Sequence, residues 1–186
     1  ISPTETPMMS SIGKEKATGV LHEWQTDALA AAASNNHHIE GDEISFGAVS
    51  PTARINNHTQ ISRKAVVVSG TQDAVNKAGR NNELAYQISK SSKELKRDME
   101  TTICLNQTGT AGASGTARKL SGLASWIQAS TSVGTSGANG QVSSVDTPGT
   151  ARTDGTQRAF TEAQLKDVVK KCWDEGGDPS MIMLGS

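Results

Sequence analysis

Large aromatic side chains are nearly missing from these 186 residues: two Phe, three Trp and one Tyr make up 3% of the chain. Aromatics supply much of the buried area in cores and interfaces, and hydrophobic residues of every kind reach only 34%. The implied monomer has a thin core and draws stability from neighbours. Cysteine is scarce as well. Cys104 and Cys172 cannot build a disulfide framework. Each falls at an apolar position of a predicted helix and reads as a small buried hydrophobe, which suits a reducing compartment. No apolar run approaches the ~20 residues that span a bilayer, and the first residues do not read as a signal peptide. The sequons at Asn57-His58-Thr59 and Asn106-Gln107-Thr108 are therefore read as chance. Neither a starting Met nor a natural ending is evident, and Met181-Ile182-Met183-Leu184 reads as the beginning of a strand, so a longer polypeptide is expected.

Chemistry-bearing patterns are equally thin. His22, His37, His38 and His58 include no helical i, i+4 pair and no clustered Cys partner, so zinc-type spacing is lacking. His37-His38 reads instead as a surface turn. The glycines of Gly109-Thr-Ala-Gly112-Ala-Ser-Gly115 are followed by Thr116-Ala117 where a phosphate-cradling loop needs Lys and then Ser or Thr. Neither cysteine has a base nearby in sequence, and no Gly-x-Ser-x-Gly elbow occurs. Glu40-Gly41-Asp42-Glu43 lacks the alternate-position spacing of a calcium loop and reads as a solvated turn. The expectation is no catalytic residue, no metal site and no cofactor.

What is present is a charge asymmetry. Residues 1–50 carry seven acids against Lys14 and Lys16, a balance of −5, although the whole chain is at −1. Residues 62–97 carry eight bases against Asp73, Glu83 and Glu94, a balance of +5. Complementary blocks of this kind can steer self-association; alternatively they are solvated faces that balance within one monomer. Lys90, Lys93, Lys96 and Arg97 share a helical sector, but acids are interspersed and stacking aromatics are few, so dedicated nucleic-acid readout is not indicated.

Along the chain, Pro3 and Pro7 mark residues 1–12 as an arm. Thr18, Val20, His22, Trp24 and Thr26 would share one face of a strand. Residues 39–69 read as a long hairpin-like excursion, with turn chemistry at Glu40-Gly41-Asp42 and Ser50-Pro51. Its return strand, Ile55 to Arg63, is polar on both faces and must be mobile or lie on another subunit. A short helix is expected over 71–78, capped by Thr71 and stopped by Gly79. From Asn82 to Asn106 the stripe Leu84, Ile88, Leu95, Met99, Ile103 predicts one continuous helix of roughly 37 Å, with Ser91-Ser92 leaving room for close backbone approach. Residues 108–156 hold nine of the 18 glycines; within them 118–127 form an apolar island, and 134–155 read as an exposed or disordered loop. A final helix is signalled by the Thr161/Gln164 capping box, a Phe160–Leu165 staple and the Gly176-Gly177 stop.

The order ARINNHTQISRKAVVVSGT, a turn-rich link, and then ELAYQISKSSKELKRDMETTICLN resembles the tailed-bacteriophage major head proteins of the Hong Kong ninety-seven type capsid fold. ISPTETPMMSSIGKEKA and LHEWQTDALA are similar to that family's arm and following strand, TARKLSGLASWI to the entry into its axial domain, and FTEAQLKDVVKKCWDEGGDP to an axial-domain helix. The resemblance implies an α+β fold: arm and first strand at 1–36, an extended β-hairpin loop at 37–70, a peripheral domain with a long spine helix at 71–107, and a partial axial domain at 108–186. It also implies a structural protein forming pentamers and hexamers of an icosahedral head around double-stranded DNA. Assembly would take place in the host cytoplasm, with other head proteins as partners and weak, non-specific contact with packaged DNA. Arg54, Ile55, Ile61, Arg63, Lys64, Glu40, Asp42 and Glu43 are the candidate inter-subunit contacts. The rival readings are an encapsulin-type nanocompartment shell and, from another class, a nucleic-acid-binding module. The family's covalent Lys–Asn cross-linking maps to no residue here.

Overall fold

The computed structural model describes residues 5–75, 78–79, 82–142 and 149–184. It is a mixed helix-and-strand fold: α1 (Pro7–Ser11), β1 (Leu21–Thr26), β2 (Ala53–His58), α2 (Gly70–Ala74), α3 (Glu83–Cys104), α4 (Leu123–Trp126) and α5 (Glu162–Asp174). The arm thus contains a single turn of helix, which lies on α3.

The two strands form one antiparallel ribbon, with Leu21 opposite His58, Trp24 opposite Ile55 and Thr26 opposite Ala53. This corrects the expected hairpin. The return strand pairs with the segment before the excursion, and residues 27–52 form the long connection between the strands. Strand alternation puts His22 and Trp24, both half-buried, on one face of β1. Trp24 meets Trp126 of α4 with ring centroids 5.0 Å apart.

Helix α3 runs unbroken past Ser91-Ser92, with Asn82 Oδ1 accepting from the Ala85 N–H at 2.8 Å as its cap. Glu83 in its first turn sits favourably against the helix dipole and accepts from Gln87 Nε2 at 2.7 Å. Beside Ser91-Ser92, the residues Lys64, Val66, Ile88, Ser91, Ser92 and Leu95 line an open groove of about 210 Å³. Helix α2 is capped by Ser69, not Thr71, and ends before Val75. Helix α5 has its Thr161 N–H bonded to Gln164 Oε1 at 3.3 Å. It stops in a Schellman turn, Gly177 N–H to Cys172 carbonyl at 2.8 Å and Gly176 N–H to Trp173 carbonyl at 2.9 Å, with Gly176 at φ 82°. Phe160 does not close a staple: it remains 67% exposed. Met181 to Leu184 form no strand and are exposed.

Among the described residues no hydrophobic side chain is fully buried; the buried polar and charged ones are Asn56, Glu83, Ser121 and Ser125. The centre is a polar joint. Ser125 Oγ donates to the Gln107 carbonyl at 2.8 Å, and Ser121 Oγ to the Gly149 carbonyl at 2.8 Å. The Ser121 N–H donates to Asn57 Oδ1 at 2.8 Å, which ties the joint to the ribbon. Glycine makes the close packing possible. A Cβ on Gly122 would run into the Leu105 carbonyl, and one on Gly140 would stand 2.5 Å from the Ser125 carbonyl.

The glycine-rich stretch is therefore folded where it is described, against the expectation of an exposed loop. Ala138 bridges to Thr153 and Gln141 to Thr150, and Gly140 and Gly149 are buried. Residues 143–148 of that expected loop lie outside the described residues.

Candidate assembly surface

The ribbon and α3 place the charged residues first. Arg54 is held within its own chain: its Nε lies 3.0 Å from Glu23 Oε1, and its Nη2 lies 2.7 Å from Oε1 and 2.9 Å from Oε2. Lys64 Nζ lies 2.7 Å from Asp98 Oδ2 on α3. The hydrogen bond to Asp98, and then its charge, raise the Lys64 pKa above the ordinary lysine value. Glu23 of the acidic block and Lys64 of the basic block are thus each paired within the monomer, with residues outside both blocks. Arg63, next to Lys64, is exposed.

Glu40, Asp42 and Glu43 sit far from these pairs in sequence, on the exposed 27–52 connection. The Asp42 N–H closes a turn onto the Ile39 carbonyl at 3.2 Å, and Gly41 takes φ 82°; a β-turn with a left-handed third residue selects glycine there. Ile55 is half-buried in the ribbon, whereas Ile61 is 81% exposed. The eight candidates therefore fall on three places: the ribbon, the segment along α3 and the loop.

Charge-led reasoning missed the apolar half of the surface. Leu29 is 99% exposed, Phe46 96% and Val49 93%, with Ile39 and Ile44 near 80%. Scattered exposed aliphatics are ordinary, but five large ones on a connection without regular structure are a concentrated apolar display. A signal was in the sequence: Ile39, Ile44, Phe46 and Val49 are spaced five, two and three apart, so no single helix or strand face gathers all four.

Cys104 is exposed, not buried as expected, and Cys172 is half-buried. Partial desolvation, and then the neighbouring Glu100 carboxylate, push the Cys104 thiol above its ordinary pKa. His38 Nε2 lies 3.3 Å from Asn36 Oδ1 in an exposed turn. Among the described residues no cluster of three or more His, Cys, Asp or Glu could hold a metal, and no helix is long and apolar enough to cross a membrane.

A polar joint stands in place of an oily core, and large apolar side chains lie exposed on the 27–52 connection. Comparison with known proteins gives the family. The chain belongs to the SU10 major capsid protein family, whose model matches residues 1–186. It is 32% identical over 212 aligned residues to the major capsid protein of Escherichia phage Phieco32, an alignment covering 99% of this chain and 60% of that relative. The chain thus spans about three-fifths of the relative's length. The family is one of capsid proteins, and the relative is named as a phage capsid protein, not as a nanocompartment shell.

Proposed function

We propose that this chain forms part of the subunit of an icosahedral phage head, with the Hong Kong ninety-seven type fold, assembled through pentamers and hexamers around double-stranded DNA. The observation that carries this reading is the 27–52 connection, whose large apolar side chains have no cover in their own chain. A neighbouring copy supplies that cover. In a ring of head-to-tail contacts each subunit's loop lies over the next one's body. Glu40, Asp42 and Glu43 then approach a surface carrying Arg63 and the α3 lysines, and Ile61 is covered in the same contact. Arg54 and Ile55 act from the ribbon, which sets the loop's direction. The subunit works as a building block with no catalytic residue, metal or cofactor. Its DNA contact is weak and non-specific, and other head proteins bind the finished shell.

The complete gene product, expressed alone and concentrated, should sediment as large closed particles. A species that stays monomeric under all assembly conditions would overturn the proposal.

A further inference from the structure

The arm helix α1 is attached to the spine in an unusual way. Pro7 at its first position has no N–H, and Thr6 at the cap offers no side-chain bond, so the Met8 and Met9 N–H groups face outward unpaired by their own helix. Glu100 of α3 takes both: its Oε1 accepts from Met8 N at 2.8 Å and its Oε2 from Met9 N at 2.7 Å. No residue of α1 is fully buried, although Thr6 to Met9 are half-buried where the helix lies on α3. Its flank stands off the spine across a cleft of about 570 Å³ lined by Glu5, Thr6, Pro7, Ser10, Lys93 and Lys96. Beyond Ile12, residues 13–20 are exposed and irregular up to β1. Helices of one turn do not hold in water without outside support.

We propose that Glu100 is a latch, and that the arm is a strap with a docked, helical state and a released, unwound state set by this one carboxylate. A charge-assisted pair of bonds to two otherwise unmatched donors gives the docked state its preference. Losing the carboxylate removes the cap and the polar part of the attachment together, because the same two bonds supply both, and leaves only the half-buried Thr6–Met9 contact. Released, the strap swings on residues 13–20, a tether reaching about 26 Å at ~3.3 Å per residue.

Hydrogen exchange on the unassembled subunit tests this. In the wild type the Met8 and Met9 amides should exchange more slowly than those of 13–19. Glu100→Ala should speed them on the order of tenfold, and Glu100→Gln, which keeps one acceptor oxygen, should fall between. Protection within α3 should persist in both. Asp98→Asn removes the same charge from the same helix, but its partner is Lys64, so it should leave the arm unchanged. Unaltered arm exchange in Glu100→Ala would overturn the latch. So would loss of arm and α3 protection together, or an equal effect of Asp98→Asn, since either would show a general weakening of the spine.

Discussion

Lys64 and Asp98 join the segment that follows β2 to helix α3, Nζ to Oδ2 at 2.7 Å. One neighbour away, Arg63 is exposed. Two adjacent bases of the positive block therefore have different jobs, and substitutions should separate them. Arg63→Glu should leave the thermal midpoint of the subunit nearly unchanged, as exposed substitutions usually do, within about 0.5 kcal/mol. It should slow assembly on the order of tenfold at low salt by opposing charge steering. Lys64→Glu places an acid against Asp98 and should also loosen the 60–68 segment. Light-scattering assembly rates and melting curves on the two variants make the comparison.

Salt should mimic Arg63→Glu in part. Screening at ~1 M shortens the Debye length to roughly 3 Å, so wild-type assembly should slow with added salt while the variant responds less. Equal salt sensitivity in both proteins would assign the effect to other charges.

The Lys64 pair also predicts a pH response. A lysine whose pKa is raised in the folded state stabilises fully below its unfolded value of 10.5, and that contribution is lost as pH climbs through the higher folded value. Urea midpoints should therefore fall in strongly alkaline solution. Lys64→Gln should lose less over that range than the wild type; identical alkaline loss would show that the pair contributes nothing. Lys170, raised by Asp174 in the same way, contributes equally to both proteins and cancels in the comparison.

The polar joint should be intolerant of small changes. Gly122→Ala drives a methyl into the Leu105 carbonyl and should cost roughly 1–3 kcal/mol in the denaturant midpoint. Ser125→Ala takes one of two close donors from the Gln107 carbonyl, which keeps the Gly122 N–H at 3.0 Å, and should cost about 0.5–1.5 kcal/mol. Neutral outcomes at both positions would mean the joint is not what holds ribbon, spine and glycine-rich stretch together.

Elements with their own local signals were readable from the sequence. The α3 stripe with Asn82 before it, and the Thr161/Gln164 and Gly176-Gly177 punctuation of α5, each act within a few residues. Pairing was harder. Nothing local to 53–58 says that its partner is 21–26 and not 39–50, because register is decided by which face finds cover, and that cover, Trp126, lies far along the chain. The joint was hidden for a related reason. Serine and glycine at 121–125, 140 and 149 look like loop composition, and become a core only when backbones close to contact distance. The arm latch likewise depends on residues more than 90 positions apart.

The central claim is that residues 27–52 are completed by a neighbouring copy. Phe46 is 96% exposed in the single chain. A cryo-electron-microscopy map of particles formed by the complete gene product tests the claim most directly. The account predicts density for this connection lying over the adjacent subunit, with Phe46, Ile44 and Val49 covered by it. Closed particles in which the same residues stay solvent-exposed, or fold back onto their own chain, would contradict it.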